Sequence, residues 1–227
     1  MLRPADPPDR LALARRLRQA VVLTAIMLAA LGLYLAVLYW RGRHAVIETR
    51  LAWDDGIPFW PEWVWVYLFP YLLAPLIAAL MSPDTFAWYI RRGLPLVFVS
   101  LAIFVILPTR TDRRTIAEAA VGLGDGLTAR LYRNMAELDA NGGNAAPSLH
   151  VSLTCLLACA LVRDFPRWWP VIVGGVGLVW LATLFTWQHH LLDVMTGAGL
   201  ALIFALLPGV RRTRSHLPSQ GSSERCG

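Results

Sequence analysis

The chain carries six apolar runs, each reaching or approaching the length a helix needs to cross a bilayer, and that pattern leaves little choice of fold. A spanning helix takes about 20 predominantly apolar residues, because the hydrocarbon core is about 30 Å thick and each helical residue advances about 1.5 Å. Within that core every backbone polar group must be satisfied inside its own segment, so runs of this kind fold as helices. The runs are expected at about 20–40, 64–81, 94–107, 149–162, 169–187 and 191–207. Pro70 and Pro75 interrupt the second and are expected to kink it. Pro95 fits the first turn of the third. The first run is too long for a signal-peptide core and lacks a small-residue cleavage site. Composition agrees, since 56% hydrophobic and 16% charged residues over 227 positions are wrong for a soluble domain of this size. The fold class expected is all-α, a polytopic membrane bundle of six transmembrane helices.

Charge orients the bundle. Every basic residue other than histidine is arginine, the net charge is +6, and the arginines sit at helix ends instead of gathering into a nucleic-acid patch. Arg91, Arg92, Arg163, Arg167 and the arginines of the two terminal segments fall on one side, 13 against 8 on the other. The smaller group is interleaved with Asp54, Asp55, Glu62, Asp112, Glu118 and Asp125. The positive-inside rule then makes both termini cytoplasmic. Residues 1–19 and 211–227 are expected to be cytoplasmic tails around a membrane domain at 20–210, in a bacterial inner membrane. The polar loop from Pro108 to Pro147 contains a helical periodicity over 115–139, broken by glycines, that suits an interfacial amphipathic helix. Cys155 and Cys159 read as packing residues and Cys226 lies in the tail, so no disulfide is implied.

Two polar motifs lie at the rims of these runs. Pro147-Ser148-Leu149-His150 opens the fourth, and His189-His190-Leu191-Leu192-Asp193 opens the sixth. Ionisable groups are costly in hydrocarbon, so their presence at helix rims marks a site. The topology brings both motifs to the outer face. His189 and Asp193 are i, i+4, which on a helix puts the carboxylate beside the imidazole. A neutral imidazole is a competent nucleophile, and a carboxylate on its other nitrogen fixes the tautomer and supports the cation that forms. His150 is then the general acid for the leaving oxygen. Arg110, Arg113 and Arg114, with Ser148, are the available donors to a phosphoryl group. This is a parts list for phosphoryl transfer through a phosphohistidine with no cofactor. A zinc site built from His150, His189, His190 and Asp193 is the rival. The neighbouring arginines favour an anion over a cation, and neither HExxH nor a cysteine cluster is present.

These residues resemble the signatures of the type 2 phosphatidic acid phosphatase superfamily. Pro147-Ser148-Leu149-His150-Val151 is similar to its second signature, and Thr186-Trp187-Gln188-His189-His190-Leu191-Leu192-Asp193 to its third. Pro-Ser-Leu-His, Asp54-Asp55-Gly56-Ile57-Pro58-Phe59, Pro108-Thr109 and Asn144 resemble the branch that contains inositol phosphorylceramide synthases. The likeness covers about 54–207. It implies a core like that of bacterial acid phosphatases and vanadium haloperoxidases, with His189 as nucleophile, Asp193 as its orienting partner, His150 as acid and Ser148 as a phosphate-binding hydroxyl. Arg113 matches the arginine of the first signature, Lys-x6-Arg-Pro, whose lysine and proline positions hold Ile106 and Arg114. The Ser-Arg that opens the third signature is Ala182-Thr183, and Arg110 is the candidate to compensate. The function expected is hydrolysis of a lipid phosphomonoester or diphosphate. A phosphotransferase moving a phospho-headgroup to a lipid hydroxyl and a non-catalytic lipid-phosphate binder are the alternatives. The partners expected are the bilayer and the lipid substrate, without nucleic acid.

Overall fold

The computed structural model describes residues 7–41, 44, 47–111, 121–138 and 142–208. Arg113 and Arg114, two of the expected phosphate donors, lie outside the described residues. Seven α-helices are present among the described residues: α1 (Pro7–Arg41), α2 (Val64–Leu80), α3 (Pro83–Ile106), α4 (Leu127–Leu138), α5 (Leu149–Asp164), α6 (Trp169–Phe185) and α7 (Leu191–Leu206). Four helical segments are long and apolar enough to cross a membrane: 10–41, 61–80, 83–106 and 166–185. These are the helices of an integral membrane protein. The other two of the six expected spans, α5 and α7, have 16 residues each. At about 1.5 Å per residue each is about 24 Å long, short of the hydrocarbon core.

Two boundaries differ from the sequence expectation. The first helix starts at Pro7, well before Ala20, because Arg15, Arg16 and Arg18 interrupt the apolar run but not the helical one. The third starts at Pro83, not at Leu94, so Pro95 lies in the helix interior and Pro83 takes the first-turn position. Ser82 caps it by accepting from Thr85 N at 3.2 Å. Arg91 and Arg92 read as a helix end, yet they are inside the helix. Arg92 is accommodated because its guanidinium donates to the Phe204 and Leu207 carbonyls at the end of α7, both at 2.5 Å. It also lies 5.1 Å from the Trp88 ring, with Arg163 at 5.0 Å from the same ring.

The core is centred on α5. Its Leu156, Leu157 and Ala160 pack with Leu23 of α1, Ala74 and Ala78 of α2, Tyr89 and Leu96 of α3, and Ala201 and Phe204 of α7. Outward faces are apolar too, with Leu28, Leu72, Leu76, Val171 and Val173 exposed where lipid would lie. The expected amphipathic segment is helical over 127–138, and it is docked rather than free: Tyr132 is fully buried against Val64 and Phe59 and donates to the Thr186 carbonyl at 3.0 Å.

The ends of the bundle have separate fastenings. At one end Asp164 accepts from Ser82 N at 2.7 Å, Ser82 Oγ at 2.9 Å and Thr85 Oγ1 at 2.7 Å, tying the end of α5 to the start of α3. Asp164→Ala is expected to lower unfolding free energy by about 1–2 kcal/mol, the scale of a lost helix cap. Thermal unfolding in detergent measures it. At that other end, β1 (Ile47–Glu48) pairs in parallel with β2 (Thr109–Arg110). This two-stranded ribbon joins the segment after α1 to the segment after α3, beside the two motifs.

Candidate active site

Asp193 ties the two motifs together. Its backbone carbonyl accepts from Ser148 N at 3.0 Å, so the start of α5 is fixed to the first turn of α7. Its side chain is fully buried. One carboxylate oxygen, Oδ2, accepts from His190 N at 2.9 Å and from His189 Nδ1 at 3.3 Å. The other, Oδ1, has no hydrogen-bond partner among the described residues. With Nδ1 of His189 held as the donor, Nε2 carries the lone pair.

The pair forms by a different local geometry from the one its spacing suggests. His189 is not on the helix. α7 begins at Leu191 with His190 as N-cap, and Asp193 at the third helical position reaches back to the cap. His189 is delivered by the turn before it. Trp187 adopts φ 53°, which costs a bulky residue about 1–3 kcal/mol. That turn lets both Gln188 N and His189 N reach the Thr183 carbonyl, at 3.0 and 3.2 Å. Trp187 is held there by its indole N–H on the Ile57 carbonyl at 3.1 Å and by the Phe59 ring at 5.0 Å. The segment before α2 also reaches the α7 N-terminus. Asp54 Oδ1 accepts from Leu191 N at 2.9 Å, and Thr49 Oγ1 is 3.0 Å from His190 Nδ1. Burial pushes the His190 imidazole below the ordinary histidine range, against the pull of Asp193 and Asp54.

The second motif is placed as its sequence suggests. Ser148 is the N-cap of α5, accepting from Val151 N at 3.3 Å, and its hydroxyl is fully buried. His150 follows in the first turn and is buried. Its Nδ1 is 2.8 Å from the Tyr71 hydroxyl, and its Nε2 has no hydrogen-bond partner among the described residues. The loop before it is anchored from β2: Thr109 Oγ1 accepts from Ala146 N at 2.8 Å and donates to the Ala146 carbonyl at 3.3 Å. Asn144 turns the chain at φ 57°, a left-handed conformation asparagine tolerates, while its Nδ2 donates to the Tyr34 carbonyl at 3.1 Å. That arrangement gives Thr109 and Asn144, which the sequence offered only as likenesses, a structural role.

His150, His189, Asp193 and Ser148 therefore come together at one end of the bundle. The Arg110 side chain is engaged elsewhere. Its guanidinium donates to Glu48 Oε1 at 2.6 Å, with 46% of the side chain exposed. Ala182 and Thr183, at the positions of the third signature's Ser-Arg, are fully buried within α6. Three residues at the site escaped the sequence reading. Tyr67 and Tyr71 left a signal, because two tyrosines i, i+4 in an apolar run must place their hydroxyls somewhere. Thr49 left none.

A profile of the PAP2 superfamily matches residues 58–207. The chain belongs to the PAP2 superfamily. The match covers both motifs, all of α2 through α7 and the loop that anchors His150, and it begins just after Thr49 and Asp54. No curated protein and no solved structure matches the chain. Membership in the PAP2 superfamily supports a phosphatase-type phosphoryl-transfer activity, that of a phosphoric ester hydrolase or a related phosphotransferase.

Proposed function

We propose that this PAP2 protein is a membrane phosphatase that removes a phosphoryl group from a lipid phosphomonoester or diphosphate through a phospho-His189 intermediate and passes it to water. The observation that carries the reading is Asp193, whose carbonyl binds Ser148 N while its carboxylate binds His189. One residue thus holds the nucleophile's motif and the acid's motif in register, and it does so with a fully buried carboxyl group that would be costly without such a use.

His189 Nε2 attacks phosphorus in line with the leaving oxygen. Asp193 keeps His189 Nδ1 protonated and stabilises the positive charge on the phosphohistidine. His150 protonates the leaving oxygen and then takes the proton from the attacking water. Arg113 binds the phosphoryl group as the arginine of the first signature, and Arg110 supplies the positive charge that the missing third-signature arginine would have supplied. The Arg110–Glu48 pair is half exposed and worth about 0–1 kcal/mol, so a phosphate dianion can compete for the guanidinium. All six apolar helices span the bilayer in this reading. The short α5 is tolerated because its Leu156, Leu157 and Ala160 pack into the core among its neighbours, and the site opens on the non-cytoplasmic face opposite Arg91, Arg92 and Arg163.

Water as acceptor is tested with a lipid phosphate labelled in its phosphate, supplied in micelles with and without diacylglycerol or ceramide. Free labelled phosphate is expected in both. Label appearing in a new phospholipid only when the lipid alcohol is present would replace the hydrolase with a transferase.

A further inference from the structure

The two nitrogens of His150 have different surroundings. Nδ1 is 2.8 Å from the Tyr71 hydroxyl, whereas Nε2 is buried with no hydrogen-bond partner among the described residues. The ring is also held in plane. Tyr67 stacks on it with centroids 4.4 Å apart and planes 5° from parallel, and the Tyr71 ring packs at 4.8 Å. Tyr67 and Tyr71 are i, i+4 on α2, so a single helical face supplies the stack and the hydroxyl.

We infer that Tyr71 is a positioning residue for His150: its hydroxyl oxygen accepts the Nδ1–H and so reserves Nε2 as the nitrogen that gives and retakes the proton. The inference rests on the phosphohistidine reading. In the first half-reaction the His189 lone pair forms the P–N bond, the P–O bond to the leaving group breaks, and the Nε2 proton of the His150 imidazolium passes to the departing oxygen. His150 is left neutral, protonated at Nδ1. In the second half-reaction a water oxygen attacks phosphorus, its proton goes to Nε2, and the P–N bond breaks. Nδ1 keeps its proton throughout, so it needs a fixed acceptor throughout. A neutral ring protonated at Nε2 would present a donor where the water needs a base.

The two histidines also differ in the acceptor each is given. His189 has a carboxylate, which supports a cation on the ring and suits a nucleophile that becomes a phosphohistidine. His150 has a neutral phenol, which fixes the ring without adding negative charge and so leaves the proton easier to release. The choice of acceptor separates nucleophile from acid.

The test uses Tyr71→Phe, which keeps the ring and deletes the hydroxyl. In full-length protein labelled with ¹⁵N-histidine in detergent micelles, His150 signals are assigned by their loss in His150→Gln. At a pH where the His150 ring is neutral, the state it reaches after the first half-reaction, the wild type should show the Nδ1–H tautomer, the minor form of a free imidazole side chain, and Tyr71→Phe should move the ring toward Nε2–H. Single-turnover cleavage of dioleoyl phosphatidate, whose alkoxide needs a proton to leave, should slow by roughly 10- to 100-fold, part of what a general acid supplies. The first-turnover burst of 4-nitrophenolate from 4-nitrophenyl phosphate needs no such proton and should stay within about twofold. Unchanged His150 signals overturn the inference, as does equal slowing with both leaving groups. A wild type inactive on both substrates sinks the phosphohistidine reading instead, and the ¹⁵N comparison still decides whether Tyr71 holds the ring.

Discussion

Replacing His189 with alanine is expected to lower phosphate release by on the order of 10⁴-fold or more, the scale seen when a covalent nucleophile is removed. The size follows from what the residue does. Without an imidazole there is no covalent intermediate, and water must attack an unactivated lipid phosphate directly. Asp193 would survive the substitution in place, because its carbonyl still binds Ser148 N and its Oδ2 still binds His190 N. The protein should therefore fold, and its loss of activity reports on chemistry. A second readout follows from the proton relay. In His150→Ala the phosphoryl group should still reach His189 from a substrate with a good leaving group, yet leave it slowly for want of a base. Labelled enzyme quenched in alkali should then hold phosphate through a bond that acid cleaves, as a P–N bond does. His189→Ala protein that turns over lipid phosphates at the wild-type rate would end the mechanism.

Sequence pattern made the helices legible because apolar runs are a first-order consequence of lipid as solvent. It was less reliable at boundaries. Arg91 and Arg92 look like the end of a span, and only the carbonyls of Phe204 and Leu207, more than a hundred residues away, show why an arginine can sit within α3. The two histidine motifs stood out for a related reason, since a histidine at the rim of a run has few uses. Their local geometry did not. The i, i+4 spacing of His189 and Asp193 suggested one helical face, whereas the pair is made across a helix start, by a cap residue and a turn strained at Trp187. Sequence cannot separate those two because both bring the same atoms together. Thr49 was hidden for the opposite reason: its partner His190 lies far along the chain, and neither spacing nor composition encodes such a pairing, whereas the spacing of Tyr67 and Tyr71 marked hydroxyls in need of a partner without saying that His150 is the partner of Tyr71.

Gly197→Ala is expected to cost about 1–3 kcal/mol of stability by overpacking and on the order of 100-fold in turnover by displacing the motifs. In α7 this glycine faces the start of α5 at backbone contact. A Cβ placed on it would lie 2.6 Å from the Ser148 carbonyl oxygen, 3.2 Å from its nitrogen and 3.3 Å from its carbonyl carbon. None of these atoms can rotate away as a side chain would. Ser152 tightens the same contact, its one hydroxyl hydrogen shared between the Ser148 and Gly197 carbonyls, which lie 2.8 and 2.9 Å from Oγ. Relief must come from separating the helices, which stretches the Ser148 N to Asp193 carbonyl bond and moves His150 away from His189. Helix propensity alone predicts the opposite sign, since alanine is favoured over glycine by about 1 kcal/mol in a helix interior. Gly199, two residues on, isolates that preference, because a Cβ there meets nothing within 4 Å. Gly199→Ala should therefore keep or slightly raise stability and leave turnover unchanged, while Gly197→Ala loses both. Thermal unfolding in detergent and phosphate release, measured on the two variants side by side, make the comparison. Equal behaviour of the two would mean that α5 and α7 do not meet closely at Ser148, and with that contact would go the alignment of nucleophile and acid.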